Sequence, residues 1–250
     1  MPVISIATPS YGRHRLLERQ HAVVTAQSEQ DFEWLILDDS PEPSPYFLGL
    51  SDPRIRYTHR PARMSIGAKR NWLAEQAQAP VIAHFDDDDY YAPGYLKTML
   101  AHMARNGADM VKFSAWYVYS TRHNQLAYWD TNIWTGLHYR IGQDGITPLV
   151  IGPEDGKAFE NNYAGFGYTY VYRKSVWQAV RFPDASFAED YGFAGAAIKA
   201  GCRFSHFRET ERLCMQIMRY GVSIAWPQWL LPDFQLPQLF PGAALELLTD

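Results

Sequence analysis

Four consecutive aspartates, Asp86 to Asp89, close the apolar run Val81 to Phe85. Side chains of an extended segment alternate in direction, so Asp86 and Asp88 would share one side and Asp87 and Asp89 the other. Two carboxylates at that spacing can hold one hard divalent ion, directly or through water. Without a cation, four packed carboxylates repel one another and some take up protons. A bound Mg²⁺ or Mn²⁺ removes that penalty, keeps open positions and prefers oxygen ligands, typically substrate phosphates. The run therefore points to a metal–diphosphate site, with a solvated acidic turn as the plain alternative. Asp38-Asp39 end a second apolar run, Trp34 to Leu37. Glu189-Asp190 precede a helical stretch, where the helix dipole favours acids in any case. Arg54, Arg56, Arg60, Arg63, Lys69 and Arg70 form a basic stretch that could steer an anionic ligand or be a solvated face.

The elements that must position these groups follow from periodicity. Val3 to Ala7 reads as a buried strand, ended by the turn residues Thr8-Pro9-Ser10-Tyr11-Gly12. Arg13 to Gln27 reads as a helix with Leu16, Leu17, Val23 and Val24 on one face. Strands follow at Trp34 to Leu37, Ile55 to Thr58 and Val81 to Phe85. Gly67 to Ala77 reads as a helix with Ala68, Trp72, Leu73 and Ala77 inward. Pro93 suits a first helical turn, with Leu96, Met99, Leu100 and Met103 as the buried stripe. Strand–helix alternation with short links predicts an open, mainly parallel sheet, in which ligands sit beyond the C-terminal strand ends. Both aspartate clusters fall there. Farther on, Asp109 to Ser120, Tyr168 to Tyr172, Arg203 to Phe207 and Leu213 to Tyr220 read as strands, and Ser175 to Val180 and Tyr191 to Ala200 as helices. Thr121 to Gly167 has only weak periodicity.

The 250 residues are 47% hydrophobic and carry a net charge of −4, which excludes disorder, coiled coil and a basic nucleic-acid binder. Cys202 and Cys214 are too few for a disulfide scaffold or a zinc site, so a reducing cytosol is expected. The N-terminal stretch has no signal-peptide pattern, and no apolar run approaches a membrane span. Neither a Gly-x-x-x-x-Gly-Lys-Ser/Thr loop nor a Gly-x-Gly-x-x-Gly turn follows a strand, which removes P-loop and dinucleotide readings.

Four blocks then combine: Val-Ile-Ser-Ile-Ala-Thr-Pro-Ser-Tyr-Gly-Arg (3–13), Asp-Phe-Glu-Trp-Leu-Ile-Leu-Asp-Asp-Ser (31–40), Ser-Ile-Gly-Ala-Lys-Arg-Asn (65–71) and His-Phe-Asp-Asp-Asp-Asp-Tyr-Tyr-Ala-Pro (84–93). In order and spacing they resemble the family 2 glycosyltransferases, strongly over residues 1–105 and weakly to about 220. The resemblance implies an α/β GT-A fold: a three-layer α/β/α sandwich with a mainly parallel central sheet and a mixed C-terminal acceptor lobe. It implies one domain over 1–225, with a nucleotide-sugar half (1–105), an acceptor half (106–225) and an aromatic, proline-rich tail (226–250).

The resemblance also assigns roles. Thr8, Pro9 and Tyr11 would surround the base and ribose, and Asp39 would accept from the base, typically uracil N3–H. Gly67, Lys69 and Arg70 would lie against base and diphosphate. Asp86 and Asp88 would be the Asp-x-Asp pair, with Asp88 a direct Mn²⁺ or Mg²⁺ ligand and Asp86 nearer the ribose. Asp87, the extra residue of that motif, is counted with the cofactor-binding set. Asp190 would be the general base, with Glu189 the second choice. The implied activity is metal-dependent, inverting transfer from a nucleotide-diphospho-sugar, UDP-linked, to a hydroxyl of a glycan or lipid-linked saccharide, as in polysaccharide biosynthesis, in the cytoplasm or at the inner face of the membrane. Two alternatives stay open: a nucleotide- and metal-binding chain without turnover, and a haloacid-dehalogenase-like phosphatase, whose usual Thr or Val after Asp-x-Asp is replaced by Tyr90.

Tyr220 stands where many family members carry a metal-proximal His, and His206 is another candidate. Trp116, Trp129 and Trp134 could stack on acceptor sugars or be core. The tail from Trp226 to Leu248, broken by Pro227, Pro232, Pro237 and Pro241, could pack back, form a homodimer contact or touch a membrane.

Overall fold

A computed structural model describes residues 1–159, 162–219 and 224–248. Tyr220 lies outside the described residues. In chain order the elements are β1 (Ile4–Ser10), α1 (His14–Thr25), β2 (Phe32–Asp38), α2 (Pro45–Leu48), β3 (Ile55–His59), α3 (Ile66–Gln76), β4 (Val81–His84), β5 (Tyr90–Tyr91), α4 (Tyr95–Arg105) and β6 (Met110–Ser120). They continue with β7 (Gln125–Asp130), β8 (Gly136–Gly142), β9 (Gly145–Ile151), α5 (Pro153–Lys157), β10 (Val171–Arg173), α6 (Lys174–Ala179), α7 (Glu189–Lys199), β11 (Phe204–Arg208), β12 (Cys214–Met218), β13 (Trp229–Leu231), α8 (Leu236–Leu239) and α9 (Gly242–Leu247). The chain forms two units. The first comprises Met1–Asp87, Pro93–Lys112 and Ala164–Ser205; the second comprises Asp88–Ala92, Phe113–Tyr163 and His206–Asp250.

In the first unit β2 and β4 flank β1, and β3 extends the sheet beyond β2, all in parallel. β10 adds antiparallel to β4 and pairs in turn with the start of β6. The β1–α1–β2 connection moves outward along the sheet, and β3–α3–β4 crosses back to the other side of β1. Right-handed crossovers in opposite directions put α1 and α3 on opposite faces. Both central strands are buried on both sides, with Ile4, Ile6, Trp34 and Ile36 on one face and Ser5, Ala7, Leu35 and Leu37 on the other, as in a parallel sheet covered on both faces. α3 lies against β1 and β2 and packs with α6 and α7.

β1 runs on to Ser10, through residues that composition marks as a turn. The Phe85 N–H donates to the Ala7 carbonyl, so Pro9, two residues on, aims its ring nitrogen at the same β4 side. The β4 ladder has already ended at Ala7↔His84, so the missing N–H costs nothing there. α4 begins at Tyr95, after Pro93 and its N-cap Gly94. On α3, Leu73 and the C-cap Ala77 are buried as expected, but Ala68 and Trp72 are only half-buried while Lys69 and Arg70 are buried, a departure with a cause given below.

In the second unit β7 pairs antiparallel with the end of β6, β13 joins β7, β12 lies parallel to β6, and β5 pairs with β12. β8 and β9 form a separate hairpin in the stretch of weak periodicity. The tail packs within this unit: β13 extends the sheet, and Phe240 stands edge-on to Tyr90 and Tyr117 at 5.9 and 5.1 Å. Trp116, Trp129 and Trp134 are buried, with Trp116 against Trp129 at 5.5 Å, so they serve the core and offer no ring face to a sugar. His206 is exposed and packs on Tyr163.

Candidate active site

The strand order of the first unit reverses between β1 and β4, and loops leaving the carboxyl ends of two such strands diverge to leave a crevice. The loop after β1 brings Tyr11 and Arg13; the chain after β4 brings Asp86 and Asp87. Ser10 and Arg13 take hold of Asp87, at 2.6 and 2.9 Å, and tie the two strand ends together. Burial pushes the Asp87 carboxyl up against the pull of Arg13. Asp86 is half-buried and receives Arg70 Nη2 at 3.1 Å. In the second unit Asp88 is half-buried, and Asp89 is buried and accepts the Ile217 N–H at 2.7 Å. Burial alternates along the run, but the backbone turns at residues 87–88, so the extended segment expected from the sequence does not continue through it.

α3 supplies the cations. Ser65 caps it, its Oγ accepting the Ala68 N–H at 3.0 Å. Arg70 is buried and lies between two acids, 3.1 Å from Asp86 and 3.5 Å from Glu189 Oε1. Burial works against its charge, but Asp86, Glu189 and Asp190 outweigh that and keep the guanidinium protonated. Its Nη1 is 3.0 Å from His84 Nδ1, and burial together with Arg70 keeps that imidazole neutral. Lys69 donates to the Ser10 carbonyl at 3.0 Å and to Asp39 Oδ1 at 2.8 Å. Burial lowers the Lys69 ammonium, with Asp39 opposing. These partners explain why the two most polar residues of α3 face inward: each cation has a buried acid to meet.

Asp39 is fully buried. It accepts Arg63 Nη1 at 2.8 Å on each oxygen, the Met64 N–H at 2.7 Å on Oδ2, and Lys69 on Oδ1. Burial alone would raise its carboxyl, but the bonds from Lys69, Met64 and Arg63 prevail and hold it below the ordinary value. Arg63 also lies over the Tyr11 ring, 3.6 Å from its centroid.

The acids at the start of α7 are set by the segment before β10. Asp190 accepts the Gly167 N–H on Oδ2 and the Tyr191 N–H on Oδ1, both at 2.7 Å. A Cβ at Gly167 would come 2.6 Å from Asp190 Cβ, so glycine is needed for this approach. Burial pushes Glu189 up, against Arg70.

The first unit thus gathers Tyr11, Asp39, Lys69, Arg70, Asp86, Asp87, Glu189 and Asp190 around the ends of β1 and β4. Two expected residues stand apart. Thr8 is buried, and its hydroxyl accepts the Trp34 indole N–H at 2.9 Å. Gly67 abuts backbone: its N–H donates to the Ala185 carbonyl at 2.9 Å, and a Cβ there would meet the Pro183 oxygen at 1.8 Å. Pro9 is half-buried in β1. Ser10, Arg13, Arg63, His84 and Gly167 were not singled out individually by sequence reasoning. Arg63 stood in the basic stretch, Ser10 and Arg13 in the block 3–13 and His84 at the head of the block 84–93, whereas Gly167 carried no signal. Among the described residues no three His, Cys, Asp or Glu side chains cluster to hold a metal, and no helix is long and apolar enough to cross a membrane.

The family profile described as "Glycosyl transferase family 2" matches residues 5–154. A curated relative from Escherichia coli (strain K12), named putative colanic acid biosynthesis glycosyl transferase WcaA, is 35% identical over 105 residues, 40% of this chain and 38% of that protein. An uncharacterized glycosyltransferase of Haemophilus influenzae is 31% identical over 110 residues, 42% of this chain and 44% of that protein. The matches thus span about two fifths of these relatives' length. Among solved structures, S. aureus TarS 1–349 in complex with UDP-GlcNAc aligns with a TM-score of 0.65 at 16% identity, over 88% of this chain and 60% of that one. The mannosyltransferase PcManGT from Pyrobaculum calidifontis, in complex with GDP-Man and Mn²⁺, aligns with a TM-score of 0.59 at 14% identity, over 86% and 56%. At such identities the structural likeness speaks for the fold, which is that of GT-A glycosyltransferases.

Proposed function

This chain belongs to glycosyl transferase family 2, and from that premise we propose that it moves a sugar, with inversion, from a nucleotide-diphospho-sugar to a hydroxyl of a glycan or lipid-linked saccharide. One observation carries the reading: the buried Arg70 bridges Asp86 and Glu189, joining the strand end that would hold the donor's diphosphate to the helix start that would activate the acceptor. The donor is taken as UDP-linked. Solved structures of TarS and PcManGT, which share the fold, are complexes with UDP-GlcNAc and with GDP-Man.

The donor set of the aspartate run fits a hard divalent cation. Asp87 and Asp89 are buried, whereas Asp86 and Asp88 are half-buried and keep surface toward solvent; they are the carboxylates that would hold Mn²⁺ or Mg²⁺. When bound, the ion would offset the charge of the departing diphosphate. The chain's own residues do the rest. Tyr11 and Asp39 receive the base, with Lys69 keeping Asp39 ionised and aimed. Arg70 adds positive charge beside the diphosphate. Asp190, held by two backbone N–H groups, keeps lone pairs on both oxygens and takes the acceptor hydroxyl proton as the new bond forms. The reaction belongs in the cytoplasm, at the inner face of the membrane when the acceptor is lipid-linked.

Release of nucleoside diphosphate from UDP- and GDP-sugars, measured with Mn²⁺, tests this. Asp190→Asn should lower turnover by about 10²–10⁴-fold and leave donor affinity within about twofold. Asp88→Asn should remove metal-dependent donor binding. A chain that binds UDP or GDP but turns over no sugar nucleotide would be a binding module instead.

A further inference from the structure

Arg63 occupies a peculiar place. Its side chain is 55% exposed, yet it pairs with a fully buried carboxylate. The guanidinium carbon lies over the Tyr11 ring, 3.6 Å from its centroid, and one guanidinium nitrogen donates to both oxygens of Asp39 at 2.8 Å. A planar group stacked on an aromatic ring while an edge N–H meets a carboxylate is what a nucleobase with a ring N–H would present to the same two residues. A carboxylate offers about four lone-pair sites. Asp39 has all four engaged: two by Arg63, one by Lys69 and one by the Met64 N–H. Lys69 is buried and also bonded to the Ser10 carbonyl, and Met64 donates from the backbone. Arg63 is the partner that can leave.

We infer that Arg63 is the resident occupant of the base seat, a guanidinium that a donor's nucleobase must displace from Tyr11 and Asp39. The inference rests on the nucleotide-sugar reading above. A ligand that supplies a ring to Tyr11 and an N–H to Asp39 replaces both contacts it breaks. A ligand that is diphosphate alone leaves Arg63 in place and gains nothing from the seat. The displaced contacts are a partly solvated stack and a half-exposed ion pair, so their removal is worth a modest factor in affinity.

Isothermal titration of the full chain in Mn²⁺ separates the cases. UDP, GDP and inorganic pyrophosphate are each titrated into the wild type, Arg63→Ala and Arg63→Lys. Loss of a positive charge weakens all three anions through the field, so the quantity to read is nucleotide affinity relative to pyrophosphate. That ratio should rise by about two- to fivefold in Arg63→Ala for whichever nucleotide the wild type prefers. Arg63→Lys, which keeps the charge without the flat stacking group, should fall between. A fall in the ratio would make Arg63 a ligand of the base and overturn the inference, as would an unchanged ratio. If pyrophosphate binds but neither nucleotide does, in any of the three proteins, the base seat itself is lost and the donor reading fails first.

Discussion

At the residue scale the site is a set of charges made tolerable by their neighbours. Asp39 and Lys69 form a buried pair 2.8 Å apart, and such pairs contribute little net stability while either partner alone is costly. Asp39→Asn should therefore destabilise the chain by roughly 3 kcal/mol at neutral pH, because Lys69 keeps its charge without a counterion. The pH dependence has a definite sign. Asp39 is held below its ordinary 3.8, so its contribution is present above that value and fades as pH falls through the lower folded one. Urea midpoints for wild type and variant, compared as pH is lowered below 3.8, should converge; a gap that stayed constant would show that the Asp39 charge is not what is being lost. Sequence alone could name Asp39 and Lys69 through the block resemblance. It could not pair them, because they are 30 positions apart and meet only when β2 and α3 pack.

At the scale of elements, α3 and α7 carry the cations and acids, and their approach depends on the chain between α6 and α7. Gly67 opens this contact: its N–H bonds to Ala185, and its missing side chain leaves room for the Pro183 carbonyl. Gly67→Ala would place a carbon 1.8 Å from that oxygen, so the backbone must shift. We expect a loss of about 1–3 kcal/mol in urea unfolding, with weaker donor binding, because α3 also carries Lys69 and Arg70. An unchanged midpoint would mean that the 183–185 segment yields freely. The amphipathic reading of α3 erred here for a physical reason. Hydrophobic period places Trp72 inward and Arg70 outward, but a buried acid reverses the preference of an arginine, and the acid, Glu189, lies 119 positions away.

At the scale of the whole molecule, donor binding should couple to stability. A ligand that binds only the folded chain at a hundredfold excess over its dissociation constant adds roughly 2.7 kcal/mol. The melting temperature should rise with UDP or GDP only when Mn²⁺ is present, and a rise of equal size with the metal absent would remove the cation from the reading. The four strands β1 to β4, their mainly parallel sheet and the placing of both aspartate clusters at strand ends were legible in the sequence, whereas the order β4-β1-β2-β3 came from the structure. Apolar runs, turn residues and helical periods are local, and local patterning is enough to fix which segments become strands and helices. The return of residues 164–205 to the first unit, the burial of Lys69 and Arg70, the capture of Asp87 by Ser10 and Arg13, and the seat that Arg63 fills were decided by tertiary structure alone. Each of these depends on which distant charge a buried group finds, and a one-dimensional pattern records the group without its partner.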